Sequence, residues 1–213
     1  MLFRSTVSSI GGELGKKGYY TAFFHGADNG SMGFEAFART AGYTHYFGRT
    51  EYNEANPDNK DFDGHWGIWD EKFFQFFGNT LSGFQQPFAA ALFSLSSHHP
   101  FAVPAEYEGV FPKGNKPIRQ CIGYTDNALK LFFEKVSKEP WYKNTLFVFT
   151  ADHTNSPERP EYETESGLFS VPVVFYQPGS DLKGFRKDVI AQQIDIMPTV
   201  LGYLGYDKPF VSF

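Results

Sequence analysis

The stretch Thr145-Leu146-Phe147-Val148-Phe149-Thr150-Ala151-Asp152-His153 decides the fold of this chain. It is uncharged until it reaches the Asp-His pair, and its residues are mostly aliphatic, aromatic or β-branched. These features predict a strand that is buried on both faces of a sheet. Open α/β sheets bind ligands at the carboxyl ends of their strands, where this pair would lie. A carboxylate beside an imidazole suits Zn²⁺ or Mn²⁺, although an N-cap Asp followed by a surface His is the alternative.

The composition indicates a folded domain and argues against two classes of partner. The chain has 213 residues, 19% of them aromatic, so it can bury a large core and is not disordered. A net charge of −5 without a basic run argues against nucleic acid and anionic membranes as partners. The single cysteine, Cys121, excludes an internal disulfide, and no segment has the length of a membrane span.

The rest of the sequence alternates predicted strands and helices. This order predicts an α/β fold with a mostly parallel central sheet and helices on both faces. Short apolar runs predict strands at 19–24, 43–47, 89–95, 146–150 and 171–176. Apolar spacings of three and four predict helices at 10–17, 31–40, 70–84, 118–138 and 191–204.

Two connecting regions carry more specific expectations. The helix at 31–40 is expected to begin with Ser31 as its N-cap. Its apolar side would be formed by Met32, Phe34, Phe37 and Ala38. Residues 48–69 are polar, acidic and without periodicity, which predicts a long loop. Such a loop is either functional, for example as a lid, or a solvated excursion.

Histidines follow three of the predicted strands. His25 ends the first strand, His98 and His99 follow the strand at 89–95, and His153 follows the strand at 146–150. The carboxyl ends of parallel strands meet at one edge of a sheet, so we expect these side chains to share a site. A single histidine in such a place is more often structural. Three strand ends with the same chemistry favour a functional site.

Several short motifs, in this order, identify a family. They are Phe24-His25-Gly26, the strand at 43–47, Ser96-Ser97-His98-His99-Pro100-Phe101, Tyr124-Thr125-Asp126, the run from Asn144 to His153, and Ile194-Asp195-Ile196-Met197-Pro198-Thr199. Together they resemble the C-terminal part of the catalytic domain of sulfatase and lipoteichoic-acid-synthase-like enzymes of the alkaline phosphatase superfamily. The resemblance covers essentially the whole chain, and the run that ends at His153 is its most specific part.

The resemblance implies a metal-dependent hydrolase or transferase that acts on sulfate or phosphate esters. In these enzymes a Thr, Ser or formylglycine nucleophile attacks sulfur or phosphorus beside a divalent metal (Mn, Zn, Ca or Mg). Asp152 and His153 match metal ligands. His98 matches the histidine that steadies the anionic head or the leaving group, His99 lies beside it as a second substrate contact, and His25 matches a catalytic histidine near the same pocket. The metal would activate the nucleophile, and the histidines would offset developing charge.

The resemblance also implies that residues 1–213 form the C-terminal portion of a longer catalytic domain. The nucleophile and an early acidic metal ligand would lie in the other portion, so we expect an incomplete metal site and no activity from this chain alone. The substrate would be a sulfated or phosphorylated glycan or lipid. The intact protein would be anchored in the cell membrane, with its catalytic domain outside the cytoplasm.

One departure from the family pattern bears on the substrate. Met32 and Phe34 stand where lipoteichoic acid synthases carry a Trp and an Arg that hold glycerol phosphate. This favours a sulfatase-like or other phosphoester substrate. Arg39 and Arg49 are candidate replacement cations, although placement on the surface is the favoured interpretation of each.

Other functions remain open from the sequence. One is a phosphoglycerol transferase of the lipoteichoic acid synthase type, and another is a non-catalytic module that binds an anion or a saccharide. A relative of the phosphomutases or nucleotide pyrophosphatases is less favoured, because the sequence shows no second close Asp-His cluster for a second metal.

Overall fold

The computed structural model describes residues 7–186 and 188–212, which form two compact units. Unit 1 holds the described residues up to Lys135 together with Asp207–Ser212. Unit 2 holds those of Val136–Tyr206. None of the described helices combines the length and apolarity needed to cross a membrane.

Unit 1 contains a three-stranded parallel sheet of order β2-β1-β3. The strands are β1 (Tyr20–His25), β2 (His45–Phe47) and β3 (Phe88–Phe93). β1 lies in the centre and pairs in parallel with both neighbours. This confirms the α/β fold with a parallel sheet that the sequence predicts.

In the described part of the chain, five helices accompany this sheet. They are α1 (Ile10–Gly15), α2 (Phe34–Thr40), α3 (Arg49–Ala55), α4 (Asp70–Ser82) and α5 (Ile118–Val136), the last of which ends at the boundary of the units. α1, α4 and α5 begin at the residues expected from the sequence and end two residues before the expected bounds. Short 3₁₀ turns occupy Ser31–Gly33 and Ala105–Tyr107.

One face of the sheet carries the aromatic core of unit 1. Successive side chains of a strand point to opposite faces, so Ala22 and Phe24 of β1 face the same layer. The Phe24 ring is fully buried, with its centroid 4.6 Å from that of Phe47 and 4.7 Å from that of Phe77 in α4. The buried members of this cluster are Ala22, Phe24, Tyr52, Ile68 and Phe73.

The opposite face packs against α1 and α2. Phe23 lies on this face, and its ring centroid is 6.4 Å from that of Phe34 in α2. Gly15 at the end of α1 approaches Thr21 closely enough that an added Cβ would be in van der Waals contact, at 3.7 Å. Helices therefore cover both faces of the parallel sheet, as expected.

The segment 31–40 differs from its prediction. Only Phe34–Thr40 is α-helical, and it follows the 3₁₀ turn Ser31–Gly33. Ser31 does not cap the helix, because the residue before α2 is Gly33 and no side-chain cap forms. Met32 has a positive φ of 49° and is 79% exposed, and Phe37 is 60% exposed, so the expected apolar side is only partly buried.

The segment 48–69 is also not a continuous loop, because it contains α3. The Glu51 carboxylate accepts a hydrogen bond of 2.6 Å from the backbone N–H of Gly48, which fixes the first turn of this helix. The hydroxyl of Tyr52 donates to Asp61 at 2.6 Å, which ties α3 to the loop beyond it. These local polar bonds replace the apolar periodicity by which helices are recognised in sequence.

Unit 2 contains an antiparallel pair, β4 (Phe147–Phe149) and β5 (Val174–Tyr176). The sequence predicted that these two strands belong to a mostly parallel sheet. That prediction is wrong for the way they pair with each other, because β4 and β5 are antiparallel. A parallel pair needs a crossover connection that is usually helical, whereas the connection here contains only the 3₁₀ turns Pro160–Tyr162 and Gly167–Phe169. β4 is also half-buried rather than buried on both faces.

The end of unit 2 forms a shorter helix than expected. Residues 191–204 were expected to be helical, and the structure has a 3₁₀ turn at Gln193–Asp195 followed by α6 (Ile196–Tyr203). Pro198 lies in the first turn of α6, where a missing N–H costs no intrahelical hydrogen bond. A further 3₁₀ turn, Tyr142–Asn144, precedes β4.

Candidate active site

The carboxyl edge of the parallel sheet brings together the histidine-bearing strand ends of unit 1. β1 ends at His25, which is in register with Phe93 at the end of β3. The turn with His98 and His99 follows β3 at the same edge. This is the edge where α/β sheets bind ligands. His25, His98 and His99 therefore lie at the common edge that the sequence predicts for them.

His25 is enclosed by aromatic rings. It is 2% exposed, and its ring centroid is 4.1 Å from that of Phe34 and 5.4 Å from that of Phe93. Its Nδ1 is 3.4 Å from the carbonyl oxygen of Phe93. Burial lowers the pKa of His25, and the Phe93 carbonyl opposes this effect only in part. His25 is therefore a neutral imidazole at pH 7.

His98 presents an imidazole to solvent in a defined orientation. Its side chain is exposed, and its Nδ1 is 3.0 Å from the carbonyl oxygen of His99. A carbonyl oxygen only accepts hydrogen bonds, so Nδ1 carries the proton and donates. Nε2 is then the nitrogen left for a ligand. When the ring is charged, Nε2 is a donor to an anionic oxygen.

The loop before α4 contacts this histidine turn through Trp66. The indole Nε1 donates to the carbonyl oxygen of His99 at 2.6 Å. The Trp66 ring also meets the His98 ring edge to face, with centroids 4.4 Å apart. The His99 ring is exposed and lies 5.7 Å from that of Phe101.

Asp70 fastens the start of α4 to the segment that leads into His98. Its buried carboxylate accepts from the backbone N–H of Leu95 at 2.9 Å and of Ser96 at 3.2 Å, and from the hydroxyl of Thr125 at 3.2 Å. In return, the Asp70 N–H donates to Ser96 Oγ at 3.0 Å. No local sequence signal marks Asp70, because an acidic residue at the start of a helix is common without any tertiary role.

We predict that Asp70 makes unit 1 less stable as the pH rises from about 4 to about 6. Burial raises the pKa of Asp70 to about 6, although the surrounding donors lower it in part. The folded state then holds a proton that the unfolded state has released, so the free energy of unfolding falls across this window. A difference of about two pH units corresponds to a loss on the order of 3 kcal/mol.

The measurement is urea denaturation at pH 4 to 7 for the wild type and Asp70→Asn. We expect the variant to be less stable overall, because its amide NH₂ faces a backbone donor. We also expect it to lack this part of the pH dependence, because an amide does not titrate. Asp126→Asn, at an exposed position of α5, is the matched control and keeps the wild-type slope. Identical slopes for the wild type and Asp70→Asn would contradict the prediction.

In unit 2, Asp152 and His153 follow β4 and are both exposed. Asp152 Oδ1 accepts from the His153 N–H at 2.9 Å, and His153 Nδ1 donates to the carbonyl oxygen of Thr154 at 2.9 Å. The Gln193 amide donates to the carbonyls of Ala151 at 2.6 Å and Asp152 at 2.9 Å, which holds the loop. After these bonds, Asp152 Oδ2 and His153 Nε2 are the side-chain atoms left to bind a ligand, and they lie 3.5 Å apart.

This pair fits half of a metal site. A tetrahedral ion with bonds of about 2.1 Å holds its ligand atoms about 3.4 Å apart, close to the observed separation. A histidine that donates through Nδ1 to a carbonyl presents Nε2 in the tautomer that binds metal. Within residues 7–186 and 188–212, no group of three or more His, Cys, Asp or Glu side chains is placed to hold an ion. Asp152 and His153 by themselves offer two ligand atoms.

The two arginines considered as replacement cations differ in their surroundings. Arg39 is on the surface, where it pairs with Glu35 at 2.7 Å one helical turn away. The Arg49 side chain is only 18% exposed, so its expected placement on the surface is wrong. It pairs with Asp28 at 3.1 Å and lies over the ring of Phe62 at 3.8 Å. Arg49 directly follows Gly48 after β2 and thus lies at the carboxyl edge.

The fold is that of the alkaline phosphatase superfamily. A protein of this superfamily from Vibrio parahaemolyticus matches with a TM-score of 0.79 and 25% identity, over 96% of this chain and 49% of that chain. The structure of the lipoteichoic acid synthase LtaP from Listeria monocytogenes matches with a TM-score of 0.78 and 24% identity, over 95% of this chain and 53% of that chain.

Within that superfamily, the chain belongs to the sulfatase family, whose model matches residues 3–206. Among curated proteins, lipoteichoic acid synthase 2 of Bacillus subtilis (strain 168) is 26% identical, over 96% of this chain and 33% of its own length. The chain thus spans about a third of the length of the curated relatives it matches.

Proposed function

We propose that this chain supplies part of the active site of a metal-dependent enzyme that hydrolyses or transfers sulfate or phosphate esters. The observation that carries the proposal is the pair of ligand atoms, Asp152 Oδ2 and His153 Nε2, left 3.5 Å apart after the other polar atoms of these side chains are bonded within the loop. Membership of the sulfatase family supports the same chemistry.

The histidines of unit 1 would bind the anionic part of an ester. His98 offers Nε2 at the carboxyl edge of the sheet, and in its charged form it would donate to an ester oxygen or leaving group. His25 is buried at this edge, and burial lowers its pKa, so it stays neutral. It would orient neighbouring groups without adding charge. A bound divalent ion would supply activation of the nucleophile.

We further propose that the nucleophile and the remaining metal ligands belong to sequence outside residues 1–213. The length of the curated relatives supports this, because the match covers about a third of each. In such a protein, residues 1–213 would be the C-terminal portion of the catalytic domain. By the same resemblance, the protein would be anchored in the cell membrane with this domain outside the cytoplasm.

The surroundings of His25 favour a sulfatase-like or other phosphoester substrate, with the ester carried by a glycan or lipid. Phe34 covers the His25 ring at 4.1 Å, at the position where the resemblance expects an arginine for glycerol phosphate. An apolar ring there offers no charge to a second phosphate oxygen. Phosphoglycerol transfer is the second candidate, because the curated relatives named above are lipoteichoic acid synthases.

The test is an assay of the full-length protein with Mn²⁺, Zn²⁺, Ca²⁺ or Mg²⁺. The substrates are 4-nitrocatechol sulfate, bis(4-nitrophenyl) phosphate and phosphatidylglycerol. We expect turnover of one class of ester, abolished by EDTA and restored by metal. Turnover of phosphatidylglycerol and of neither other substrate, with release of diacylglycerol, would favour phosphoglycerol transfer. Absence of turnover with every substrate and metal, together with binding of a sulfated saccharide, would favour the non-catalytic module.

A further inference from the structure

We propose that Trp66 is a positioning residue that fixes the ring of His98 for the reaction. The inference rests on the proposed function, because it assigns His98 a role in catalysis. It concerns the segment 61–69, which lies outside the resemblance motifs and which sequence periodicity left without a defined structure.

Trp66 acts on His98 through two contacts. Its ring meets the imidazole edge to face, with centroids 4.4 Å apart and an interplanar angle of 67°. Its Nε1 donates to the His99 carbonyl oxygen at 2.6 Å, and the same oxygen accepts from His98 Nδ1 at 3.0 Å. The indole therefore holds both the imidazole and the acceptor that selects its tautomer.

The turn that carries Trp66 is itself held in place. Asp63 Oδ1 accepts from the backbone N–H groups of His65, Trp66 and Gly67 at 2.7, 2.8 and 3.1 Å. The Asp63 N–H donates to the Gly67 carbonyl oxygen at 2.8 Å. One carboxylate thus defines three successive backbone positions. Trp66 is 36% exposed, yet it projects from a fixed turn.

The same turn is fastened beside the end of β1. The Ile68 N–H donates to the Gly26 carbonyl oxygen at 3.0 Å. A Cβ on Gly67 would lie 2.3 Å from that oxygen, so no side chain is tolerated at this close approach. The segment therefore links the His25 strand end to the His98 turn, and Trp66 is the side chain that completes the link.

These contacts would fix the direction in which His98 Nε2 points before the substrate binds. A group that stabilises charge only in the transition state affects kcat more than KM. Small errors in its placement lower the rate because the donor no longer meets the developing charge. Trp66→Phe keeps an aromatic ring beside His98 but removes the indole donor to His99, so it isolates the hydrogen-bonded part of the contact.

The first test needs no substrate. In the full-length protein labelled with ¹⁵N-histidine, long-range ¹H–¹⁵N spectra report the tautomer of His98, assigned by its absence in His98→Ala. We expect the Nδ1–H form in the wild type and in Trp69→Phe, and a mixture of tautomers in Trp66→Phe. Trp69 is the matched control, because its ring packs on Tyr124 with centroids 6.1 Å apart. An unchanged His98 spectrum in Trp66→Phe would overturn the proposal.

The second test uses the substrate that the full-length protein turns over. We expect Trp66→Phe to lower kcat about fivefold, the effect of one ordinary hydrogen bond, with KM within about twofold of the wild type. In the His98→Ala background the same substitution should change nothing further, because the two residues act through one group. Equal losses in both backgrounds would overturn the proposal. If no ester is turned over, the proposed function fails, and the spectra still decide whether Trp66 fixes His98.

Discussion

His98→Ala is expected to lower the kcat of the full-length protein by about 10²–10³, the loss that follows removal of a charge-stabilising donor. His98 is exposed at the carboxyl edge of the sheet, and its Nδ1 donates to the His99 carbonyl, which leaves Nε2 as the nitrogen that could bind a ligand. Without the imidazole, the charge that develops on the transferred group or leaving group has no donor at this position. The measurement is steady-state kinetics with the preferred ester at saturating metal.

His45→Ala is the matched control for this substitution. His45 begins β2 and therefore lies at the amino edge of the same sheet, where its ring stacks on Tyr20 with centroids 4.0 Å apart. Its removal should leave kcat within about twofold of the wild type. Wild-type kcat in His98→Ala, or equal losses in both variants, would contradict the role given to His98.

Asp152→Ala is expected to weaken Mn²⁺ binding to the full-length protein by about a hundredfold or more. Removal of partners that only orient a ligand already costs about tenfold to a hundredfold, and Asp152 would be a ligand itself. The substitution also removes the acceptor for the His153 N–H, so the second ligand loses its support. Isothermal titration calorimetry of the metal-free protein with Mn²⁺ measures the effect.

Asp181→Ala provides the comparison within the same unit, because Asp181 is an exposed aspartate in a loop beyond β5. It should leave metal affinity unchanged. Undiminished Mn²⁺ affinity in Asp152→Ala would show that the ion is bound elsewhere, and the Asp-His pair would then be an ordinary polar end of a strand.

The parts of the fold that the sequence predicted well are those with strong apolar patterns. β1 has apolar and aromatic side chains for both faces, and it forms the centre of the parallel sheet. α4 and α5 repeat large apolar residues every three or four positions and were located within two residues at both ends. The histidines at the ends of β1 and after β3 followed from the same strand predictions.

Polar and tertiary interactions determine what the sequence did not reveal. α3 depends on the bond from Gly48 to Glu51 rather than on apolar spacing. β5 pairs antiparallel with β4, and its run of three residues does not encode its direction. Trp66 donates a hydrogen bond to His99, which lies 33 residues further along the chain. A contact over this separation has no local sequence signal.

The most direct test of the account is a crystal structure of the full-length protein with Mn²⁺ and orthophosphate. We expect anomalous scattering from an ion bound by Asp152 Oδ2 and His153 Nε2, with a phosphate oxygen among the remaining ligands of that ion. An ion bound elsewhere, with Asp152 Oδ2 and His153 Nε2 making no contact to metal, would contradict the assignment of this pair as metal ligands.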